Sequence, residues 1–238
     1  MNKTMSILRL AISIALAFTF SCSSDDGGND GSSSSVTGGG SSSSKTQNPS
    51  SSSVEYTGGS CDAADYGSVD INGQVWMTKN WGCYAPSSKC RDDDPVNCDM
   101  YGRVYNWATA MTVCPDGWHL PSNEEWIILM QFVSNSNSSI SLSYCIDAGK
   151  LLKSETGWRE YEGKTGGTDA FGFAALPGGH GWKSDGTRGA GGYGYWWTAT
   201  EIDAYNAYNW SMIYFIDDAQ RQEDEKKSFI SVRCVKND

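Results

Sequence analysis

Residues 114–126, CPDGWHLPSNEEW, bring a thiol, an imidazole and three carboxylates within thirteen positions of one another. Side chains of these types bind transition metals or transfer protons in enzymes. The ones with that potential here are Cys114, His119, Glu124 and Glu125. A zinc site needs ligands that converge from several elements, and the chain adds only one more histidine, His180, and no Cys-x-x-Cys pair. The sequence therefore predicts no metal site and no cofactor site in this block.

The spacing within the same block favours a structural role. Ser122 precedes Glu125 by three residues, which is the pattern of a capping box that starts a helix. Glu124 falls in the first turn of that helix, where the helix dipole favours an anion. We therefore predict no catalytic residue here, and only the role of His119 stays open.

Aromatic side chains form a second group with chemical potential. Residues 165–194 are rich in glycine and show little periodicity, so they predict a long irregular loop. Aromatic faces backed by glycine suit stacking on sugar rings, and they equally suit rigid protein-binding surfaces. On a strand, one of two adjacent tryptophans must point inward. The candidate ligand-binding residues are Trp182, Tyr193, Tyr195, Trp196 and Trp197.

The segment from Cys90 to Asp99, CRDDDPVNCD, offers the oxygen ligands that calcium prefers. It lacks the alternation, the central glycine and the terminal glutamate of an EF-hand. Runs of charge are usually solvated, so we predict an exposed acidic loop rather than a metal site.

Local patterns predict the elements that position these residues. Asn72-Gly73 separates two β-rich runs, which predicts a hairpin of strands at 69–71 and 74–78. A first helix with one buried stripe is predicted by the spacing of Val104, Trp107, Ala108 and Met111. A second helix at 123–133 is predicted by the stripe of Trp126, Leu129, Met130 and Val133.

Three β-rich runs after the loop predict an antiparallel meander. They are YWWTATE from Tyr195, YNWSMIYFI from Tyr208 and SFISVRCVK from Ser228. The third run alternates, so Ser231 and Arg233 are predicted to face outward, opposite the inward Ile230, Val232 and Cys234. A hairpin, two helices, a long loop and a meander together predict an α+β fold.

Seven cysteines follow residue 60, and a secreted protein with this density uses disulfides. A bridge from Cys114 to Cys234 would join the start of the second helix to the last strand, and it ranks first. The expected pairs, in order of preference, are Cys114–Cys234, Cys90–Cys98 and Cys61–Cys83. Cys145 is then left over, either as a free thiol or paired with another chain.

The first sixty residues differ in composition from the rest. Residues 10–20 form an apolar run that is too short to span a membrane, and we interpret residues 1–21 as a signal peptide. Ser21-Cys22 resembles the cleavage site of bacterial lipoproteins, in which the new terminal cysteine is acylated; an ordinary signal peptide is the alternative. The Ser/Gly-rich segment 22–60 predicts a flexible tether, so the folded domain is expected at 61–238.

Charge and the anchor limit the possible partners. From residue 61 onward the chain has 24 acidic and 15 basic residues, and binding nucleic acid needs clustered cations. Nucleic acid is therefore not an expected partner. The acidic SSDD after Cys22 resembles short signals that export some bacterial lipoproteins to the outer face of the outer membrane. We expect a secreted protein held by its lipid anchor at the outer membrane or cell surface.

Six blocks of the domain occur in a recognisable order: VWMTKNW, YGRVYNWATAM, CPDGWHLPSNEEW, DAFGFAALPGG, YWWTATE and SVRCVK. Together they resemble the Fibrobacter succinogenes major paralogous domain, a family of bacterial surface proteins. That family is in turn similar to C-type-lectin-like folds, including the formylglycine-generating enzymes. The resemblance implies a C-type-lectin-like domain with two helices, a small antiparallel sheet and a long glycine-rich loop, stapled by disulfides.

The resemblance implies less about activity. C-type lectins that bind sugar through Ca²⁺ use a Glu-Pro-Asn or Gln-Pro-Asp tripeptide in the loop and a Trp-Asn-Asp on a later strand. The loop here has neither tripeptide, and the nearest strand text is Asn209-Trp210-Ser211. The reactive cysteine pair of the oxidising enzymes has no counterpart, since Cys234 is the only cysteine after Cys145.

We therefore expect a binding or adhesion module and not an enzyme. Its expected partners are the membrane, through the lipid anchor, and a polysaccharide or another surface protein. The alternatives are an enzyme related to the formylglycine-generating fold, with or without a metal, and a purely structural surface domain.

Overall fold

A computed structural model describes residues 59–134, 144–163, 165–182 and 186–238 of the chain. The predicted signal peptide, the lipidation site Cys22 and nearly all of the tether lie outside the described residues, as does the side chain of Trp182. In the part that is described, no helix has the length and apolar character needed to cross a membrane. The domain has mixed helix and sheet content, as the α+β prediction expected.

Four α-helices occur within these ranges, whereas the sequence predicted two. They are α1 at Pro95–Tyr101, α2 at Trp107–Val113, α3 at Asn123–Val133 and α4 at Ala148–Leu152. Helix α3 has the predicted bounds and capping box, because Ser122 Oγ accepts from the N–H of Glu125 while the Glu125 carboxylate accepts from the N–H of Ser122. Its predicted apolar stripe is buried.

The predicted first helix was partly wrong. Asn106 caps α2 by accepting from the N–H of Thr109, so the helix starts after Val104, which lies on a strand. Met111 is exposed, and Ala110 is the buried residue of the helix. The predicted spacing matched a helical stripe. The Asn106 cap starts the helix at Trp107, however, and the face that is buried contains Ala110 instead of Met111.

Helix α1 replaces part of the predicted acidic loop. The Asp94 carboxylate accepts from the N–H of Val96, and Pro95 occupies the first helical position. Both residues are helix-start signals, and they produce a helix where the run of charge alone had predicted a loop. Asp92 and Asp93 precede the helix in a short 3₁₀ turn, Arg91–Asp93. The third aspartate of the run, Asp94, is the helix cap.

The described residues form three sheets. Their strands are β1 Ser68–Ile71, β2 Gln74–Met77, β3 Ser88–Lys89, β4 Val104–Tyr105, β5 Trp118–His119, β6 Tyr144–Cys145, β7 His180–Trp182, β8 Gly186–Arg188, β9 Tyr193–Glu201, β10 Asn206–Ile213, β11 Ala219–Glu225, β12 Ile230–Ser231 and β13 Val235–Lys236. The strand orders are β1-β2-β13-β5, β3-β4-β12-β9-β10-β11-β6 and β7-β8. The predicted hairpin is confirmed as β1 and β2, with positive φ at both Asn72 and Gly73.

The meander exists, but its third strand is not the predicted one. Every residue of β11 pairs with β10, and the β11 sequence AQRQEDE lacks an apolar alternation. The predicted third run, from Ser228, divides instead into β12 and β13, which belong to different sheets. Ser231 and Arg233 are both buried, so the prediction that they face outward was wrong.

Trp196 and Trp197 are both completely buried, which contradicts their selection as ligand-binding residues. Strand β9 is covered on both faces. Trp196 packs in the cluster that contains Trp126 of α3, while Trp197 packs in a second cluster with Tyr105 and Ile230. Adjacent strand residues point to opposite faces, so a sheet buried on both sides takes both indoles into the core.

A buried polar cluster joins the two main sheets. The Arg233 guanidinium donates to the carbonyls of Met77 and Phe173 at 2.8 and 2.7 Å, and to Asn80 Oδ1 at 2.9 Å. Asn80 Oδ1 also accepts from the Trp196 indole at 2.8 Å. Burial lowers the pKa of Arg233 to about 9. The cluster ties β2, β9 and the loop before β7 together.

The three predicted disulfides are confirmed. They are Cys61–Cys83, Cys90–Cys98 and Cys114–Cys234. Cys145 is a free, buried cysteine on β6.

Cys145 should be inert in the native protein. Burial, with a smaller contribution from Asp218, raises the pKa of its thiol to about 11, and the thiolate is the reactive form. In a Cys22→Ser background, a thiol reagent at pH 8 should detect no cysteine in the native chain and one after unfolding without reductant. A further Cys145→Ser change should remove that signal. A native thiol that reacts at the same rate as the unfolded one would contradict the burial.

Candidate functional site

The block that suggested chemistry in the sequence is a structural junction. His119 Nε2 lies 2.8 Å from Glu125 Oε1, and His119 Nδ1 lies 2.7 Å from Asn237 Oδ1. Glu125 is also the capping residue of α3, and Cys114 is bonded to Cys234. The role that the sequence left open for His119 is therefore to link the start of α3 to the C-terminal segment.

His180 belongs to a different cluster. Its Nε2 lies 2.9 Å from Asp224 Oδ1, and the other carboxylate oxygen accepts from Asn209 Nδ2 at 3.0 Å. The Tyr195 ring packs edge-on against the imidazole at 5.1 Å. The two histidines thus pair with different carboxylates. Across the described ranges, no group of three or more His, Cys, Asp and Glu side chains is arranged to hold a metal ion.

The structure brings aromatic side chains together elsewhere on the surface. We call this surface the aromatic cleft and define it by Tyr161, Tyr193, Tyr214 and Phe215. The Tyr161 ring lies 5.9 Å from both Tyr214 and Phe215, which are 4.9 Å from each other. The Tyr193 ring lies 6.2 Å from Tyr214. Tyr161, Tyr214 and Phe215 line a cavity of about 300 Å³.

Two rings of the aromatic cleft are open to solvent. Tyr161 and Phe215 are 44% and 45% exposed, while Tyr193 and Tyr214 are half-buried beneath them. The half-buried Tyr214 ring packs edge-to-face against both exposed rings, and Tyr193 packs against Tyr214. Clustered exposed aromatics make this surface a candidate for binding, whereas a single exposed apolar residue would not.

Buried groups position the turn that carries two of these rings. Tyr214 and Phe215 follow the end of β10, and Lys153 Nζ donates to the carbonyls of Ile213 and Ile216 on either side of them, at 3.0 and 2.9 Å. Lys153 is itself buried. A buried ammonium bound to two carbonyls therefore fixes the turn from below.

A glycine turn supports the same site from the side. The N–H of Tyr214 donates to the carbonyl of Gly192, and a side chain at Gly192 would meet the Tyr214 ring and the Arg159 guanidinium. Arg159 lies over the Tyr214 ring, 5.2 Å from its centroid. The predicted association of glycine with aromatic faces therefore occurs here, between residues 189–192 and the aromatic cleft.

The rim of the cavity is acidic. Its carboxylates belong to Glu162, Asp217 and Asp218. Asp218 Oδ1 accepts from the N–H of Asp147, which fixes one of these carboxylates. Exposed aromatic faces and hydrogen-bond acceptors thus lie side by side.

A sequence model described as the Fibrobacter succinogenes major domain matches residues 69–236. The chain belongs to this family. The matched region contains the whole aromatic cleft and its acidic rim. No curated protein and no solved structure matches the chain.

The aromatic cleft of this Fibrobacter succinogenes major domain contains only one of the predicted ligand-binding residues, Tyr193. Tyr195 packs against His180, and the side chain of Trp182 lies outside the described residues. The sequence prediction missed Tyr161, Tyr214 and Phe215. Tyr214 and Phe215 belong to the run from Tyr208 that the sequence predicted as one strand, but β10 ends at Ile213. The sequence signal for an earlier strand end was Asp217-Asp218, because adjacent aspartates are typical of a turn.

Proposed function

We propose that this protein is a surface-displayed lipoprotein whose Fibrobacter succinogenes major domain binds polysaccharide through the aromatic cleft. In this proposal the signal peptide, residues 1–21, directs secretion, and acylated Cys22 anchors the chain at the outer membrane or cell surface. The Ser/Gly-rich tether then holds the domain away from the lipid. The sequence pattern around Cys22 and the composition of the tether support this arrangement.

The observation that carries the ligand class is the pairing of exposed rings with carboxylates. The C–H face of a sugar ring stacks on an aromatic face, while its hydroxyl groups donate to carboxylate oxygens. Tyr161 and Phe215 supply the faces, and Glu162, Asp217 and Asp218 supply acceptors around the same cavity. The cavity is at the small end of ligand sites, which suits a short stretch of a glycan chain.

The charge of the rim narrows the ligand class further. A polyanionic glycan would bring its own carboxylates or sulfates against the acidic rim of a domain with a strong negative charge, which is unfavourable. The proposed ligand is therefore an uncharged polysaccharide.

A C-type-lectin-like fold is part of the same proposal. The first hairpin and the last strand lie side by side, since β13 pairs with β2, so the two ends of the domain meet in one sheet. A long, mostly irregular segment separates the helices from β9. Both features support the fold that the family resemblance implied.

Binding to an insoluble neutral glycan should depend on the two exposed rings. Phe215→Ala and Tyr161→Ala should each weaken retention of the chain on cellulose, xylan or chitin by about tenfold, which corresponds to about 1.4 kcal/mol. Retention is measured by depletion from solution over a series of glycan concentrations. Circular dichroism and thermal unfolding should stay close to those of the unmodified protein, because both rings are partly exposed.

Tyr205→Ala is the matched control. Tyr205 is a 78% exposed tyrosine in the turn between β9 and β10, at the opposite end of the hairpin from Tyr193 and Tyr214. Its removal should leave retention unchanged. The polysaccharide proposal fails if the chain is not retained on any of these glycans, or if the control weakens retention as much as Phe215→Ala. Cleft-dependent binding to a surface protein, without glycan retention, would favour a protein ligand instead.

A further inference from the structure

Arg91 is a buried cation whose guanidinium has no hydrogen-bond acceptor among the described residues. Its residue is 1% exposed, and Nε, Nη1 and Nη2 all lack an acceptor within the described part of the chain. Burial lowers the pKa of Arg91 to about 10. The adjacent Asp92 contributes a favourable charge but no hydrogen bond to the guanidinium. A buried ion without hydrogen bonds is costly, so this arginine requires a partner.

The other buried cations among the described residues donate to protein groups. Arg233 donates to backbone carbonyls and to Asn80, and Lys153 donates to two carbonyls. Arg103 donates to Ser88 Oγ at 2.9 Å and contacts the sulfurs of the Cys90–Cys98 disulfide at 3.6 Å. Of the four buried cations that the structure describes, three therefore have acceptors, and Arg91 is the exception.

Two consecutive glycines each lie against a donor that is unpaired among the described residues. The guanidinium lies directly against the backbone of Gly179, where any Cβ would overlap its Cζ and both terminal nitrogens. The preceding residue, Gly178, lies in the same way against the hydroxyl oxygen of Ser231. Ser231 Oγ is buried and also lacks a partner among the described residues. Two consecutive glycines thus lie against a buried guanidinium and a buried hydroxyl.

The charged residues around Arg91 differ in burial. Asp92, Asp93 and Asp94 follow it directly in sequence, but all three are exposed, and Asp94 caps α1. Arg103, which contacts the sulfurs of the Cys90–Cys98 disulfide, is buried like Arg91. Unpaired N–H and O–H donors of buried groups are complementary to an anion.

We propose that Arg91, with Ser231, forms a binding site for one small anion, of the size of chloride or of a simple oxyanion. Charge pairing with the guanidinium provides most of the interaction, and the Ser231 hydroxyl donates a further hydrogen bond. The bound anion stabilises the segment closed by the Cys90–Cys98 disulfide against the Gly178-Gly179 backbone. This site is separate from the aromatic cleft and does not depend on polysaccharide binding.

The test measures the dependence of stability on anion concentration. The secreted chain, with Cys22→Ser, is unfolded with urea at constant ionic strength while sodium chloride or sodium sulfate replaces sodium gluconate, whose anion is too large for an enclosed site. A ligand that binds only the folded state lowers the unfolding constant up to tenfold for each tenfold rise in its concentration above Kd. The unmodified chain should show this dependence with chloride, with sulfate or with both.

Arg91→Met should abolish the dependence, and Ser231→Ala should weaken it severalfold while leaving the guanidinium in place. Arg221→Met, which removes an arginine of β11, should retain the full dependence and so controls for general salt effects. If Arg91→Met does not fold, Ser231→Ala and the unmodified chain still decide the question. The proposal is overturned if the unmodified chain is insensitive to both anions, if Arg91→Met remains equally sensitive, or if Arg91→Met is more stable than the unmodified chain at every anion concentration.

Discussion

Replacing Arg233 with methionine should lower the free energy of unfolding by about 3–5 kcal/mol, the usual cost of removing one partner from a buried charged network. Methionine fills similar space without donors, so the carbonyls of Met77, Phe173 and Ala174 would lose a buried hydrogen-bond donor. Asn80 Oδ1 would keep only its bond from the Trp196 indole. The Arg233 charge also stacks on the Phe173 ring at 4.6 Å, and that contact would be lost.

The large effect follows from what the guanidinium connects. Arg233 lies between β12 and β13, which belong to different sheets, and its acceptors come from β2 and from the loop before β7. Asn80 adds bonds to the carbonyls of Tyr101 and Leu176. One side chain therefore holds two sheets and a loop in register, and hydrogen bonds to a charged group contribute more than neutral ones.

Urea unfolding followed by tryptophan fluorescence measures this loss. Arg233→Lys keeps the charge but provides fewer donors in a different geometry, so it should fall between the unmodified protein and Arg233→Met. Arg221→Met removes a partly exposed arginine and should change stability by less than 1 kcal/mol. A loss below 1 kcal/mol for Arg233→Met would mean that the buried network does not hold the sheets together.

Arg233 also illustrates why the sequence could not predict this network. A strand alternation that continued through residues 228–236 would place Arg233 on the outer face. The chain instead leaves one sheet after Ser231 and enters another at Val235, so the alternation is broken at the arginine. Nothing local to the sequence marks that change, because the acceptors are contributed from positions 59 to 156 residues away.

Elements with complete local signals were predictable. Helix α3 has its cap, its stripe and its end within a dozen residues, and the β1–β2 turn needs only Asn72-Gly73. The sequence did not predict β11 because nearly all of its residues are polar. Its place between β10 and β6 depends on hydrogen bonds to those strands, which an apolar pattern does not show. The aromatic cleft was missed for a related reason: Tyr161 comes from a loop more than fifty residues before Phe215, and only the fold brings their rings together.

Loss of the Cys114–Cys234 disulfide should be the other large effect. This bridge spans 120 residues and joins the C-terminal end of α2 to the segment between β12 and β13. In the chain-entropy description, crosslinking a loop of that length stabilises by about 5 kcal/mol, because it restricts the unfolded chain most. The double substitution Cys114→Ala with Cys234→Ala removes that restriction without leaving a free thiol.

The two other disulfides provide an internal series for the same prediction. Cys61–Cys83 spans 22 residues and Cys90–Cys98 spans 8, so the corresponding double alanine variants should lose about 3.4 and about 2.5 kcal/mol. Urea unfolding of the three variants in the Cys22→Ser background gives the comparison, and the order of stability loss should follow loop length. Equal losses, or the largest loss at Cys90–Cys98, would show that native contacts of each bridge outweigh the unfolded-state entropy. The Cys90–Cys98 variant tests this most directly, since Arg103 contacts the sulfurs of that disulfide.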